Sequence, residues 1–139
     1  MRGRFSKILI GGVAVASMCI QPGHAAPGNG LAIIAGPDAK TLGYATPVMT
    51  IRRGDPLSFI NLDIEAHNVQ SDAFGPDSQP WCDGNFPLGK CPLLFSPEVG
   101  LGQTPDIRGT ENLVPGNIYT FWCVAHGHGQ SGTLVVLPE

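Results

Sequence analysis

Apolar residues along the chain fall into short runs divided by turn residues, and no run keeps a helical period. After the Gly, Pro and Asn residues near positions 26–30, Leu31 to Ala35 form a first apolar strand. Val48 to Arg52 and Leu57 to Leu62 read as strands, with Arg53-Gly54-Asp55-Pro56 as the turn between them. Thr104 to Arg108 and Glu111 to Val114 are further strand candidates with a less regular pattern. Val114-Pro115-Gly116-Asn117 then turns the chain into Ile118 to Cys123, and Thr133 to Leu137 closes it as an apolar strand. Residues 70–102, rich in Pro, Gly and polar side chains, predict a long excursion, and a loop of that length is usually functional or cross-linked. The pattern as a whole predicts an all-β domain, an antiparallel β-sandwich with Greek-key connections.

Composition narrows this picture. A chain of 139 residues with 19 Gly and 13 Pro suits one turn-rich domain and disfavours a multidomain enzyme. The formal charge of -3, with no run of Lys or Arg, offers nothing to nucleic acid. The N-terminus reads differently from the rest. Arg2, Arg4 and Lys7 precede an apolar stretch of roughly a dozen residues, Ile8 to Ile20, too short to span a bilayer and typical of a secretory signal. Gly23-His24-Ala25 places cleavage after Ala25. The expected organisation is a signal peptide over 1–25 and a single domain over 26–139 with 70–102 as an insertion, exported to the periplasm or secreted, with no membrane span after processing. Losing Arg2, Arg4 and Lys7 takes the eight basic residues to five against eleven acidic, a formal -6 that would steer a basic partner towards the surface.

Processing also removes Cys19 and leaves Cys82, Cys91 and Cys123. In an oxidising compartment an odd count means one pair and one thiol with another task. Cys82 and Cys91 flank one turn-rich segment and are the natural pair; no other Cys or His lies between them to make that segment a metal site. Cys123 is then the free thiol. His126 and His128 follow it within five residues, and His67 comes directly after an apolar strand. A thiolate at a strand end and an imidazole three positions later can aim both donors at one point. Gly127, Gly129 and Gly132 permit the backbone angles of a tight ligand loop. Two imidazoles and one thiolate with a weak axial donor form the set expected of a blue-copper electron-transfer centre.

Two stretches carry a resemblance to a known family. Ser58-Phe59-Ile60-Asn61-Leu62-Asp63, followed by His67-Asn68-Val69, resembles the strand and N-terminal ligand histidine of the cupredoxins, the family of plastocyanin, amicyanin and pseudoazurin. Tyr119-x-Phe121-x-Cys123-x-x-His126, with Gly132-x-Leu134-Val135-Val136 after it, resembles their ligand loop and last strand. The resemblance covers much of 48–69 and 113–137 but not the 70–102 excursion. It implies one copper ion cycling between Cu(I) and Cu(II), with His67, Cys123 and His126 as equatorial ligands. Many relatives carry an axial Met where this chain has Gln130, while the mature chain's single methionine, Met49, belongs to a core strand. Gln130 is therefore the axial candidate, beside a water, a backbone carbonyl or no ligand at all. A harder amide oxygen implies a lower reduction potential than a thioether would give.

Around this set, Asn68 resembles the family residue that ties the two ligand loops together; with Val124 in place of a hydroxyl after the cysteine, its bridge would run to backbone. Trp122 is either a port for electrons or sheet packing, and His128 either a group at the rim of the site or a solvated loop residue. The implied function is an exported one-electron carrier that docks a redox protein near His126 and transforms no small-molecule substrate. The alternatives are a copper module for storage, delivery or sensing without redox cycling, and an enzyme with an open site at the single copper. Three mature histidines cannot supply a second copper centre once the first has taken two.

Overall fold

Leu31–Ala35 and Leu57–Asn61, two of the apolar runs, become strands β1 and β3 and pair in parallel, from Leu31 opposite Leu57 to Ala35 opposite Asn61. The structure, a computed structural model, describes residues 30–77, 79, 82, 86 and 90–139. The expected secretory leader, residues 1–25, lies outside the described residues. A second sheet holds β2 (Val48–Ile51), β6 (Gly127–Val136), β5 (Ile118–Cys123) and β4 (Gln70–Ser71) in that spatial order. Here β2 runs parallel to β6, while β5 is antiparallel to both β6 and β4. The first three connections, β1 to β2, β2 to β3 and β3 to β4, each cross between the sheets, while β4, β5 and β6 follow one another as neighbours within one sheet.

Alternation places the core between the sheets. β3 turns Leu57, Phe59 and Asn61 inward, β5 turns Phe121 and Cys123 inward, and β6 buries Gln130, Leu134 and Val136. Tyr44 packs edge-on against Phe59 and tilted against Phe121, closing the core at the end where the site lies. Met49 packs against this core from β2. Among the described residues no helix is long and apolar enough to cross a membrane.

Four local expectations change. Glu111 to Val114 is not a strand: Thr110–Asn112 forms a 3-10 turn behind Gly109, whose φ of 99° bends the chain, and Leu113 alone drops into the core. Thr104 to Arg108 pairs only through single bridges, Asp106 to Ser58 and Arg108 to Phe95. A one-turn helix α1, Ala39–Leu42, follows Asp38; four residues are too few to show a period. The last strand also begins at Gly127 rather than near Thr133, so the expected ligand loop is largely strand.

Candidate metal centre

β5 ends in Cys123, and a tight turn closed by the His126 N–H on the Cys123 carbonyl (3.2 Å) swings the chain into β6. Gly127 makes that reversal in the left-handed region, at φ 66°. One step along β5, from Trp122 to Cys123, spans four along β6, from Ser131 to Gly127. This bulge frees residues 128–130 from pairing. It sends Gln130 into the interior, fully buried, and His128 outward. Of the three glycines expected to relax this loop, only Gly127 has a positive φ. Gly132 answers to space instead: a Cβ there would run into the edge of the Phe121 ring and lie 2.9 Å from the Pro47 carbonyl oxygen.

His67 lies on the connection from β3 to β4, which carries the chain from one sheet to the other. Its backbone is clamped to Val99 by two hydrogen bonds, His67 N–H to Val99 O (3.2 Å) and Val99 N–H to His67 O (2.9 Å), so the ligand loop is supported by the return limb of the 70–102 segment. The donor atoms of His67, Cys123 and His126 all lie within 4.8 Å of one another. Cys123 Sγ is 3.5 Å from His126 Nδ1 and 3.8 Å from His67 Nδ1, and Gln130 Oε1 is 3.0 Å from His126 Nδ1. His67 and Cys123 are wholly buried, and only His126 reaches solvent, with 14% of its side chain exposed.

The opposite edge of each imidazole meets a carboxylate. His67 Nε2 lies 3.0 Å from Asp63 Oδ2, and His126 Nε2 lies 3.0 Å from Glu65 Oε2. An ionised carboxylate only accepts, so the protons reside on the two Nε2 atoms and the Nδ1 lone pairs point to the shared centre. The hydrogen bond from His67 holds the Asp63 carboxyl below its usual range, against the effect of burial and with help from the N–H groups of Ala39 and Ile64. Lys40 does most to lower Glu65, bonding its other oxygen at 3.2 Å, and His126 adds to this. Burial pushes the Tyr44 phenol well above its ordinary value; its hydroxyl donates to the Asn68 carbonyl beside His67.

The donor chemistry fits a cation. A thiol and two bare imidazole nitrogens lie within 4.8 Å of one another, the Gln130 amide oxygen faces one of those nitrogens at 3.0 Å as acceptor against acceptor, and the buried Gln130 Nε2 has no hydrogen-bond partner. The Asn68 side chain accepts the Val124 N–H (2.9 Å), tying the loop of His67 to that of Cys123 through backbone. His128 lies outside the donor set: it stacks on Trp122 at 4.6 Å and 17° and bonds Asp72 (2.7 Å) on the surface. The single disulfide among the described residues joins Cys82 and Cys91, and Cys123 is free.

Sequence reasoning missed Asp63, Glu65 and their supports. Asn61, also buried, holds their loop by donating to the carbonyls of Glu65 and Val99 (2.8 Å each) and accepting the Asp63 N–H (2.9 Å). The available signal was two acids within four residues before a candidate ligand histidine.

No family model and no curated protein matches the chain. Solved structures do. A Cu(I) methionine-to-alanine mutant of amicyanin superposes with a TM-score of 0.53 at 20% identity, over 81% of this chain and 86% of that chain. An oxidised methionine-to-lysine mutant of amicyanin gives 0.54 at 20% identity over the same shares. An oxidised proline-to-alanine mutant gives 0.51 at 21%, over 77% of this chain and 81% of that one. The sandwich has the cupredoxin fold, with a His-Cys-His group where its two sheets meet.

Proposed function

We propose that this chain is a mononuclear type 1 copper protein that carries single electrons between redox partners, with His67, Cys123 and His126 as equatorial ligands and Gln130 in the axial position. The observation that carries this reading is the convergence of the His67, Cys123 and His126 donors with both Nε2 edges already engaged, and Gln130 Oε1 stands 3.0 Å from His126 Nδ1 beside them. Copper at such a site takes up and gives back one electron between Cu(II) and Cu(I). The chain's own contribution is to keep its donors still. Asp63 and Glu65 fix the rings, Asn68 ties the ligand loops, and Val99 clamps the backbone of His67. Donors held by neighbours that do not bind metal need little rearrangement when the charge changes. His126, the one ligand open to solvent, gives a redox protein its approach. The Cys82–Cys91 disulfide and the signal-like residues 1–25 support export to an oxidising compartment such as the periplasm.

Visible and electron paramagnetic resonance spectra of the copper-loaded protein test the reading, wild type beside Cys123→Ser. An intense blue band that disappears in the variant, with reversible voltammetry in the wild type, is the expected result. A colourless protein that binds only Cu(I) overturns the carrier in favour of a storage or delivery module.

A further inference from the structure

We propose that Glu65 is a positioning residue of the centre: paired with Lys40, it holds the outward imidazole of His126 and, through that ring, biases the site towards the oxidised metal. The inference rests on the copper reading above and concerns a part of the site the sequence motifs do not contain. The two imidazoles are held differently. His67 is fixed by Asp63, four residues before it and buried with it. His126 is fixed from a distance by a carboxylate 61 residues earlier in the chain, on the connection from β3 to β4.

That loop is itself rigidly placed, because the Glu65 carbonyl accepts from the buried Asn61 amide. Lys40, in α1, bonds the second Glu65 oxygen, so one chain of contacts runs Lys40–Glu65–His126 from the helix to the β5–β6 turn. Two consequences follow. With its Nε2–H engaged, the His126 ring cannot turn its bare Nδ1 away from Cys123 and Gln130 without breaking a charge-assisted hydrogen bond. A negative charge one imidazole from the site also favours the more positive oxidation state, and the Lys40 ammonium opposes it. Glu65 and Lys40 are 43% and 59% exposed, so both electrostatic effects are screened by salt.

Opposite signs for the two partners distinguish this role from a merely structural one. Glu65→Gln, which keeps an acceptor and loses the charge, should raise the reduction potential of the copper-loaded protein. Lys40→Gln should lower it, and both shifts should shrink as salt is added. In the diamagnetic Cu(I) protein, the His126 Nε2 proton observed by NMR should exchange with solvent roughly tenfold faster in Glu65→Ala, the equivalent of one lost hydrogen bond. Glu65→Gln should restore slow exchange. Potentials that move in the same direction or not at all, or an Nε2 proton in Glu65→Ala that exchanges as in the wild type, would overturn the assignment. Failure of the copper reading shows separately, as a wild-type protein with no blue band.

Discussion

Gln130 is the one polar side chain that β6 buries completely. Its alternation with Leu134 and Val136 puts it on the core face of β6, where an amide is out of place unless it has a partner. The amide oxygen faces His126, and the amide nitrogen has no hydrogen-bond partner. We read this as an axial ligand whose hard oxygen lowers the potential. Gln130→Met, of similar length but with a soft thioether, should raise the potential measured by voltammetry; a fall or an unchanged value removes Gln130 from the metal. His67, Cys123 and His126 stood out because histidine and cysteine are scarce here and Cys123 and His126 have the spacing of a ligand loop, and Gln130 stood out because it holds the place where the family resembled carries Met. Asp63 and Glu65 did not stand out because acids are common in this chain and an irregular loop has no period to reveal which of them turns inward. Their role depends on a fold that brings residue 65 to residue 126.

Among the elements, the β5–β6 pair determines the shape of the site. The Phe121 ring lies over Gly132, its register partner, and thereby allows the two strands to approach just before the bulge that delivers Gln130. Gly132→Ala would force a Cβ against that ring and against the Pro47 carbonyl. The expected cost is about 1–3 kcal/mol from overpacking, read as a lower denaturation midpoint of the metal-free protein. An unchanged midpoint would mean that Phe121 can move aside freely. Most strands were legible from alternation, because a sandwich buries one face of each strand and period two records which face. Strand direction was not. The parallel ladders β1·β3 and β2·β6 depend on crossovers between sheets, and a pattern of inward and outward residues reads the same in either direction. The bulge was hidden for a similar reason: it is a mismatch between two strands, visible only once both are placed.

Across the whole molecule, the 70–102 segment shapes the support of the centre more than its length suggested. Its return limb lies along residues 67–75 through a series of backbone bonds: Gly75 N–H to Cys91 O (2.8 Å), Leu93 N–H to Ala73 O (2.7 Å), Ser71 N–H to Leu94 O (3.0 Å) and Ser96 N–H to Val69 O (2.8 Å). The series ends at the Val99 clamp on His67. Leu94 and Cys91 are fully buried, so this limb belongs to the core. The disulfide sits at the far end of the limb from His67, and the two jobs are separable. Replacing Cys82 and Cys91 together by Ala opens a loop of sequence separation 9. Restored chain entropy in the unfolded state should then lower the unfolding free energy by roughly 2–3 kcal/mol. The blue band and the potential should stay as they are, because the backbone ladder between the disulfide and His67 is complete without the cross-link. Denaturation and spectra of the same double variant decide the matter. A weakened fold with an unaltered centre places the disulfide in stability alone, whereas a shifted band would mean that the cross-link sets the position of His67 through the limb.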